Sequence, residues 1–512
     1  MSNQASDNNK RIAKNTLLLY VRLFFTMTVS LFTSRVVLNI LGVEDYGIYN
    51  VVGGVVAMFS LFTGSLSTAI SRFLTYELGR GNKKRLSIIF STSINIQIIM
   101  AVIVTILAEM GGYWFLNTHM NIPAARMTAA NWVLQFSILT FAINLISIPY
   151  NAAIIAHERM SAFAYIGIIE VFLKLTVAYL LYVSPIDKLI TYSILLAVVA
   201  ILIRIIFGVY CNRNFPECHY SKVYDKNLFK QMTGFAGWNL IGTGAYLFNT
   251  QGVNIATNIY FGVTANAARG VSSQVEGVIR QFVNNFTTAL NPQITKSYAV
   301  GDMQYMYSLV CRGSKFSFFL MFIFAVPFMF ETETIMQVWL KNYPPEAPLF
   351  LRLSMIGTLF DILGNSTANA TWATGKVKKY YIIVGSVGCL VFPISWACFA
   401  FGAEAYASYL VFIVVYLILI FVKLHIVKGL IDFPVVKYYK EVFLKIIPVS
   451  ILSFVLPSIP FYYMNEGVTR CLIVCFASLV STSMIIYAIG LTYGERNMVN
   501  VKLTSILSKI KK

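Results

Sequence analysis

Residues 41–50 read LGVEDYGIYN, and residues 261–270, which lie 220 positions further on, read FGVTANAARG. Between 41–81 and 261–301, nine of 41 positions are identical without a gap, whereas composition alone would give roughly three. Both stretches separate long apolar runs, so each predicts the turn of a helical hairpin. The match predicts an internal repeat; chance similarity between two hydrophobic hairpins is the alternative.

The first copy of this turn carries two adjacent acids, Glu44 and Asp45, where the second copy has the uncharged residues 264–266. Acids, glycines and tyrosines suit a tight turn at the membrane surface. We expect Glu44 and Asp45 to keep an outer turn in water.

The composition is that of a membrane protein. Of 512 residues, 57% are hydrophobic and 12% are charged, whereas soluble domains have about 25% charged residues. Runs of about 20 apolar residues can cross the hydrocarbon as helices, and such runs fill most of the chain. The sequence predicts an all-α polytopic protein with fourteen transmembrane helices at 15–41, 46–71, 87–116, 125–153, 161–183, 187–210, 229–258, 268–295, 313–340, 347–373, 379–401, 404–424, 441–463 and 468–492.

The basic residues support this number of helices and set their direction. Of the 40 Lys and Arg residues, 29 fall on one side, 6 on the other and 5 inside predicted helices; the 29 include Lys423, at the end of segment 404–424. Because basic residues accumulate on the cytoplasmic side, both termini are expected inside. The net charge of +19 then reflects this rule and contact with anionic membrane lipids, and no nucleic-acid partner is expected.

The repeat predicts the domain organisation. Because each half has an even number of helices, six, both halves have the same orientation in the membrane. This is the parallel-repeat arrangement of alternating-access transporters. Helices 13 and 14 are then an appendage, and the last residues form an amphipathic helix on the cytoplasmic surface. The predicted parts are a cytoplasmic N-terminus (1–14), a six-helix bundle (15–212), a cytoplasmic linker (213–228), a second six-helix bundle (229–427), helices 13 and 14 (428–494) and the tail (495–512).

Five basic residues lie inside predicted helices, where an ionised side chain is costly and needs a reason. Arg22, Arg35 and Arg204 have no acid three or four residues away, although Arg204 could reach the cytoplasmic surface. The other two each follow an acid by four residues and could be neutralised by it. Because guanidinium groups suit phosphate and pyrophosphate, the predicted anion-binding residues are Arg22, Arg35, Lys174, Arg204 and Arg280.

Two polar stripes at helical spacing mark predicted helices 7 and 10. Such stripes serve either helix packing through hydrogen bonds or a water-filled cavity whose amides, hydroxyls and aromatic rings bind sugars. The predicted sugar-facing residues are Asn239, Thr243, Asn254, Asn258, Asn365, Asn369 and Trp372.

Two intramembrane acids are candidates for an ion-coupled step. Asp361 in helix 10 has no local base, and Glu109 lies near the outer end of helix 3. The sequence has no Walker A, G-x-S-x-G or H-E-x-x-H motif, and its seven cysteines are scattered. We therefore expect no enzyme, metal site or bound cofactor. Without an ATP site, movement is expected to be driven by an ion gradient, the membrane potential or downstream consumption of the substrate, and Asp361 and Glu109 are the candidate sites for a coupling Na⁺ or H⁺.

Residues 34–82, SRVVLNILGVEDYGIYNVVGGVVAMFSLFTGSLSTAISRFLTYELGRGN, resemble the first hairpin of bacterial polysaccharide flippases of the Wzx type. These belong to the multidrug/oligosaccharidyl-lipid/polysaccharide (MOP) exporter superfamily. The resemblance implies two six-helix bundles forming a V, as in the related multidrug exporters (MATE), in the bacterial inner membrane. It also implies transport of undecaprenyl-pyrophosphate-linked sugar units to the outer leaflet for O-antigen or capsule, beside a polysaccharide polymerase and a chain-length regulator.

Two other functions compete with this reading. A cation-coupled exporter of small amphipathic molecules could use the same scaffold. A membrane glycosyltransferase or polymerase would generally carry a large outer loop with catalytic residues, and every outer loop predicted here is short. The cavity arginines of the related lipid II flippases cannot be assigned here by motif.

Overall fold

The computed structural model describes residues 2–57, 59–118, 122–222, 225–340, 343–497 and 500. Within these ranges every regular element is helical. The α-helices are α1 (Ser2–Ala57), α2 (Ser60–Arg80), α3 (Lys83–Thr118), α4 (Met127–Ala156), α5 (Met160–Leu180), α6 (Lys188–Asn214), α7 (Lys226–Ala299), α8 (Met303–Leu340), α9 (Ala347–Leu363), α10 (Asn365–Thr374), α11 (Lys378–Cys389), α12 (Val391–Ala400), α13 (Ala407–Ile431), α14 (Val435–Tyr438), α15 (Leu444–Leu452), α16 (Val455–Tyr463) and α17 (Val468–Ile485).

The all-α polytopic fold class is confirmed. Eleven helical stretches of the described residues are long and apolar enough to cross a membrane. The other three predicted spans, 46–71, 229–258 and 268–295, lie in α1, α2 and α7, which are helical but more polar. Fourteen helices are compatible with this architecture, because each predicted segment overlaps helical backbone.

The internal repeat has the same backbone conformation in both copies. Gly42 inside α1 has φ 81° and ψ 169°, and Gly262 inside α7 has φ 77° and ψ −168°. A second pair with the same spacing, Gly81 and Gly301, has φ 71° and 78°. Side chains rarely tolerate positive φ, so two of the nine identities, at 42/262 and 81/301, record a backbone requirement.

The described chain separates into two compact units. The first contains the residues up to Gly244 together with Asn291–Asp302. Here α4 packs against α2, α3 and α6, and α1 packs along α5. Its apolar core includes Val52, Val133 and Leu134, all at most 1% exposed.

The second unit contains Ala245–Leu290 and the chain from Met303 onward. Helix α9 packs between α8 and α13, and α17 packs on α8. A buried ion pair stabilises this last contact, with Nε of Arg470 2.7 Å from Oε1 of Glu331. The helices predicted as an appendage are therefore part of this unit's packing. Of the predicted tail, 498–499 and 501–512 lie outside the described residues.

The structure corrects the expectation for Asp45. This residue is in the helical stretch after Gly42, and its carboxylate accepts hydrogen bonds from Arg126, which precedes α4. Arg126 also donates to Asp187 at 2.5 Å. Both carboxylates are less than a third exposed. Asp45 thus joins the first turn of the repeat to α4 and α6, an ion pair between residues 81 positions apart that local spacing cannot reveal.

Asp187 also caps α6, because its carboxylate accepts from the backbone N–H groups of Leu189 and Ile190. Burial raises the pKa of Asp187, but the hydrogen bonds from Arg126 and from the backbone lower it further, so its pKa lies below the ordinary value. A carboxyl with a lowered folded-state pKa stabilises the fold above its ordinary pKa of about 3.9 and loses that effect as the pH falls through the folded value.

We expect Arg126→Met to lower the free energy of unfolding by about 1–3 kcal/mol, because two partly buried carboxylates lose their shared donor. Thermal unfolding of the purified protein in detergent measures the loss. The loss should be constant between about pH 5 and 8 and should shrink below about pH 4. Arg352→Met, which breaks a more exposed pair with Glu333, is the control and should cost less than about 1 kcal/mol. Equal losses for the two variants would contradict this role of Arg126.

Candidate functional site

Arg22 is a residue of α1 in the first unit, and its side chain lies against α5. Its Cζ is 4.2 Å from the centroid of the Phe163 ring, and Gly167 leaves room for it, since a Cβ there would lie 2.5 Å from Nε of Arg22. This Nε is buried and has no hydrogen-bond partner among the described residues. The absence of a side chain at Gly167 therefore allows a guanidinium group to lie against α5.

A neighbouring acid is shared with a second base. Glu170, on α5, interacts electrostatically with Arg22 and accepts a 2.6 Å hydrogen bond from Lys174. We call Arg22, Glu170 and Lys174 the α1–α5 basic group. It has two cationic side chains for one carboxylate, so it carries a net charge of +1.

The other two arginines predicted for this unit lie elsewhere. Arg35 is exposed on α1, thirteen residues from Arg22, which corresponds to about 20 Å along a helix. Arg204, on α6, has its Cζ 3.9 Å from the centroid of the Tyr150 ring of α4. Arg22 and Lys174 therefore both interact with Glu170, whereas Arg35 and Arg204 lie at separate positions of the unit.

A pocket of about 200 Å³ opens in the first unit between α1, α4 and α6. On α4, three polar residues share its wall at spacings of three and four, and no described residue is a hydrogen-bond partner of their side chains. Sequence reasoning missed this pocket, although the polar spacing in an apolar helix was a usable signal. Its lining residues are Tyr49, Gly53, Val56, Phe136, Ser137, Thr140, Phe141, Asn144, Ser193 and Leu196.

The second unit contains a group of charges inside its helices. Arg280 on α7 donates to the carboxylate of Asp361 on α9, and its Nε is 3.6 Å from Oε1 of Glu276. Lys423 on α13 places Nζ 3.6 Å from Oδ1 of Asp361. Thr358 donates to Glu276 at 2.9 Å. We call Glu276, Arg280, Asp361 and Lys423 the second-unit charge cluster.

This cluster corrects two expectations. Asp361 does not stand alone, because Arg280 and Lys423 both contact it. Lys423 is not at a cytoplasmic helix end: α13 continues to Ile431, and the lysine side chain is 8% exposed. The signal available in the sequence was the apolar run that continues after Lys423.

The predicted sugar-facing residues are distributed between both units. In the first, Thr243 donates to Asn239 at 3.4 Å, and Asn239 is buried. In the second, Arg269 donates to Asn254 at 2.5 Å, and Asn258 is exposed.

Predicted helix 10 is divided in the structure, because α9 ends at Leu363 and α10 begins at Asn365. Asn365 and Trp372 are half-buried and Asn369 is buried. These three residues therefore all lie in α10.

Glu109, the second predicted ion-coupling acid, accepts a hydrogen bond from Nε2 of Gln135 at 2.8 Å. The described residues contain no group of three or more His, Cys, Asp or Glu side chains arranged to hold a metal ion. The charged groups of the site are thus arranged as ion pairs and stacked arginines.

Comparison with known proteins assigns the chain to a family. A family model described as polysaccharide biosynthesis protein matches residues 12–298, more than half of the chain. The membrane protein EpsK of Bacillus subtilis (strain 168), described as uncharacterized, is 18% identical over 276 residues, and the match covers 54% of this chain and 54% of EpsK. The chain thus matches about half of that relative's length.

Solved structures show the fold. A MATE protein in the bent conformation has a TM-score of 0.72 at 10% identity, covering 83% of this chain and 96% of that one. An outward-facing multidrug resistance MATE family transporter of the MOP superfamily has a TM-score of 0.69 at 10% identity, covering 83% and 97%. A MOP superfamily transporter from Pyrococcus furiosus, whose binding pocket is described as having reverse polarity, has a TM-score of 0.66 at 11% identity, covering 82% and 95%.

The resemblance predicted from residues 34–82 is confirmed by the family match and by this shared fold. The chain belongs to the polysaccharide biosynthesis protein family and has the fold of MOP superfamily transporters.

Proposed function

We propose that this protein moves a lipid-pyrophosphate-linked oligosaccharide from the cytoplasmic to the outer leaflet of the bacterial cytoplasmic membrane, by alternating access, for O-antigen or capsule assembly. The observation that carries the proposal is the α1–α5 basic group, in which Arg22 has a buried Nε without a hydrogen-bond partner. A polysaccharide polymerase and a chain-length regulator are proposed partners that receive the product.

The pyrophosphate would bind at this group. A buried guanidinium nitrogen without a hydrogen-bond partner is costly, and an anionic ligand would offset that cost through charge-assisted hydrogen bonds to the guanidinium group. Phe163 and Gly167 hold the guanidinium against α5, while Lys174 adds a second positive charge near Glu170. The net charge of +1 favours an anion at this position before any ligand arrives.

The sugar part would use the pocket of the first unit. Hydroxyl and amide groups of Ser137, Thr140 and Asn144 can hydrogen-bond sugar hydroxyls, and the rings of Tyr49 and Phe141 can stack on a sugar face. Its volume of about 200 Å³ is below the range of about 300–1,000 Å³ typical of drug-sized ligand sites. The pocket therefore suits one sugar ring of the oligosaccharide.

An exporter of small amphipathic cations is the alternative. Such a site needs a carboxylate that is free to pair with the ligand. Glu170, Glu276, Asp361 and Glu331 each already contact a lysine or arginine, and Glu109 contacts an amide. This pairing favours the anionic substrate.

We expect Arg22→Met to lower lipid-linked oligosaccharide flipping in proteoliposomes about tenfold or more, because a hydrogen bond to a charged group is worth roughly 1.5–3 kcal/mol. Arg22→Lys keeps the charge but loses the planar fork, so its loss should be intermediate. Arg352→Met is the control for loss of an arginine and should flip at the wild-type rate.

Protein abundance and thermal unfolding must be matched across these variants. Wild-type flipping by Arg22→Met at normal abundance would rule out the pyrophosphate role. Resistance of a pump-deficient host to cationic dyes, conferred by the wild-type protein and lost in Asp361→Asn, would instead support the exporter.

A second prediction tests sugar binding in the pocket independently of pyrophosphate binding. Asn144→Leu should raise the KM for the sugar-bearing lipid roughly threefold to tenfold, the value of about one hydrogen bond, and should leave the affinity for inorganic pyrophosphate unchanged. Asn131→Leu, in the same helix, is the matched control because Asn131 donates to the backbone of its own helix. Equal effects of the two variants would show that the pocket does not bind sugar.

A further inference from the structure

Lys423 is a buried ammonium group in the interior of α13. Its side chain is 8% exposed, and the carboxylate of Asp361 is its ion-pair partner, with Nζ 3.6 Å from Oδ1. Gly364, in the break between α9 and α10, leaves space for the lysine side chain, because a Cβ at this position would lie 2.6 Å from both Cδ and Nζ of Lys423. The helix break and the missing side chain both accommodate this one ammonium group.

The charges around Lys423 balance. Asp361 and Glu276 supply two negative charges, and Arg280 and Lys423 supply two positive charges. Among the described residues, the other polar groups near these side chains are hydroxyls: Thr358 donates to Glu276, Tyr246 accepts from Arg280 at 3.4 Å, and Tyr380 and Tyr416 are close enough to interact electrostatically with Asp361. The second-unit charge cluster is therefore neutral with Lys423 present and would carry a net charge of −1 without it.

The two oxygens of Asp361 are used by different partners. Arg280 donates to Oδ2, and Lys423 faces Oδ1. A monovalent cation that neutralised Asp361 would have to lie against Oδ1, where the ammonium group already is. Arg280 is shared between Asp361 and Glu276, so without a second cation one of these two carboxylates would be uncompensated, which costs several kcal/mol for a buried charge.

We propose that Lys423 is a built-in cation that occupies the place of a coupling metal ion, and that it makes the second unit independent of Na⁺. Lys423 thus determines the ion requirement of the protein. The consequence for transport rests on the proposed flippase function, whereas the ion dependence of the fold does not. Removal of the ammonium group should create a site for Na⁺ at Oδ1 of Asp361.

Thermal unfolding of the full-length protein in detergent at pH 8 tests this proposal. Wild-type protein should have the same unfolding midpoint in NaCl and in choline chloride of equal ionic strength. Lys423→Met should unfold about 1–3 °C higher in NaCl than in choline chloride, because a cation that binds only the folded state stabilises it. The wild-type flipping rate should be equal in the two salts, and the variant should flip faster in NaCl.

Two further variants test whether the response to Na⁺ arises from the charge on Asp361. Lys423→Met/Asp361→Asn restores a neutral cluster and should lose the response to Na⁺. Lys437→Met removes a lysine from an exposed pair with Glu441 and should respond as the wild type does. If Lys423→Met does not fold, Lys423→Gln replaces it, with the same expected response to Na⁺.

A wild-type midpoint that rises specifically in NaCl would overturn the proposal, as would a Lys423→Met protein that responds equally to both salts. Retention of the Na⁺ response in the double variant would place the ion elsewhere and also overturn it. The thermal measurement uses no lipid substrate, so its outcome is independent of whether the cargo is a lipid-linked oligosaccharide.

Discussion

The constraint on which this structure depends is the cost of an unsatisfied polar or charged group in hydrocarbon. It requires the backbone to be helical across the membrane, and the described regular elements are all helices. It also requires each intramembrane charge to have a partner or a ligand. The second unit satisfies its charges internally, with Arg280 and Lys423 on Asp361 and with Arg470 on Glu331.

The first unit satisfies the same constraint differently. In the α1–α5 basic group, one carboxylate serves two bases, and Arg22 stacks on a phenylalanine ring. A cluster that is neutral by itself needs no ligand to balance its charge, whereas a bound anion lowers the electrostatic free energy of a group with excess positive charge. This difference between Glu170 and the paired acids of the second unit is the physical basis of our proposal that an anionic substrate binds in the first unit.

Sequence reasoning predicted local features well and remote pairings poorly. Lys174 four residues after Glu170 and Arg280 four residues after Glu276 were both recognised, because helical spacing fixes which side chains are neighbours. The partners of Asp45 and Asp361 were missed, because these ion pairs join residues 62 to 81 positions apart in the chain. Lys423 was misplaced because a helix end was set at a charged residue, although the helix continues past it to Ile431.

The sequence alone determined the membrane class, the helical architecture and the repeat, since apolar length, charge and glycine position act locally. Gly42 and Gly262 adopt the same positive φ because the repeat preserves a backbone requirement. Only the tertiary structure decided which charges have a neutralising partner and which share one. That decision depends on which helices pack together: α9 and α13 place Lys423 beside Asp361, and α1 and α5 place Arg22 against Phe163.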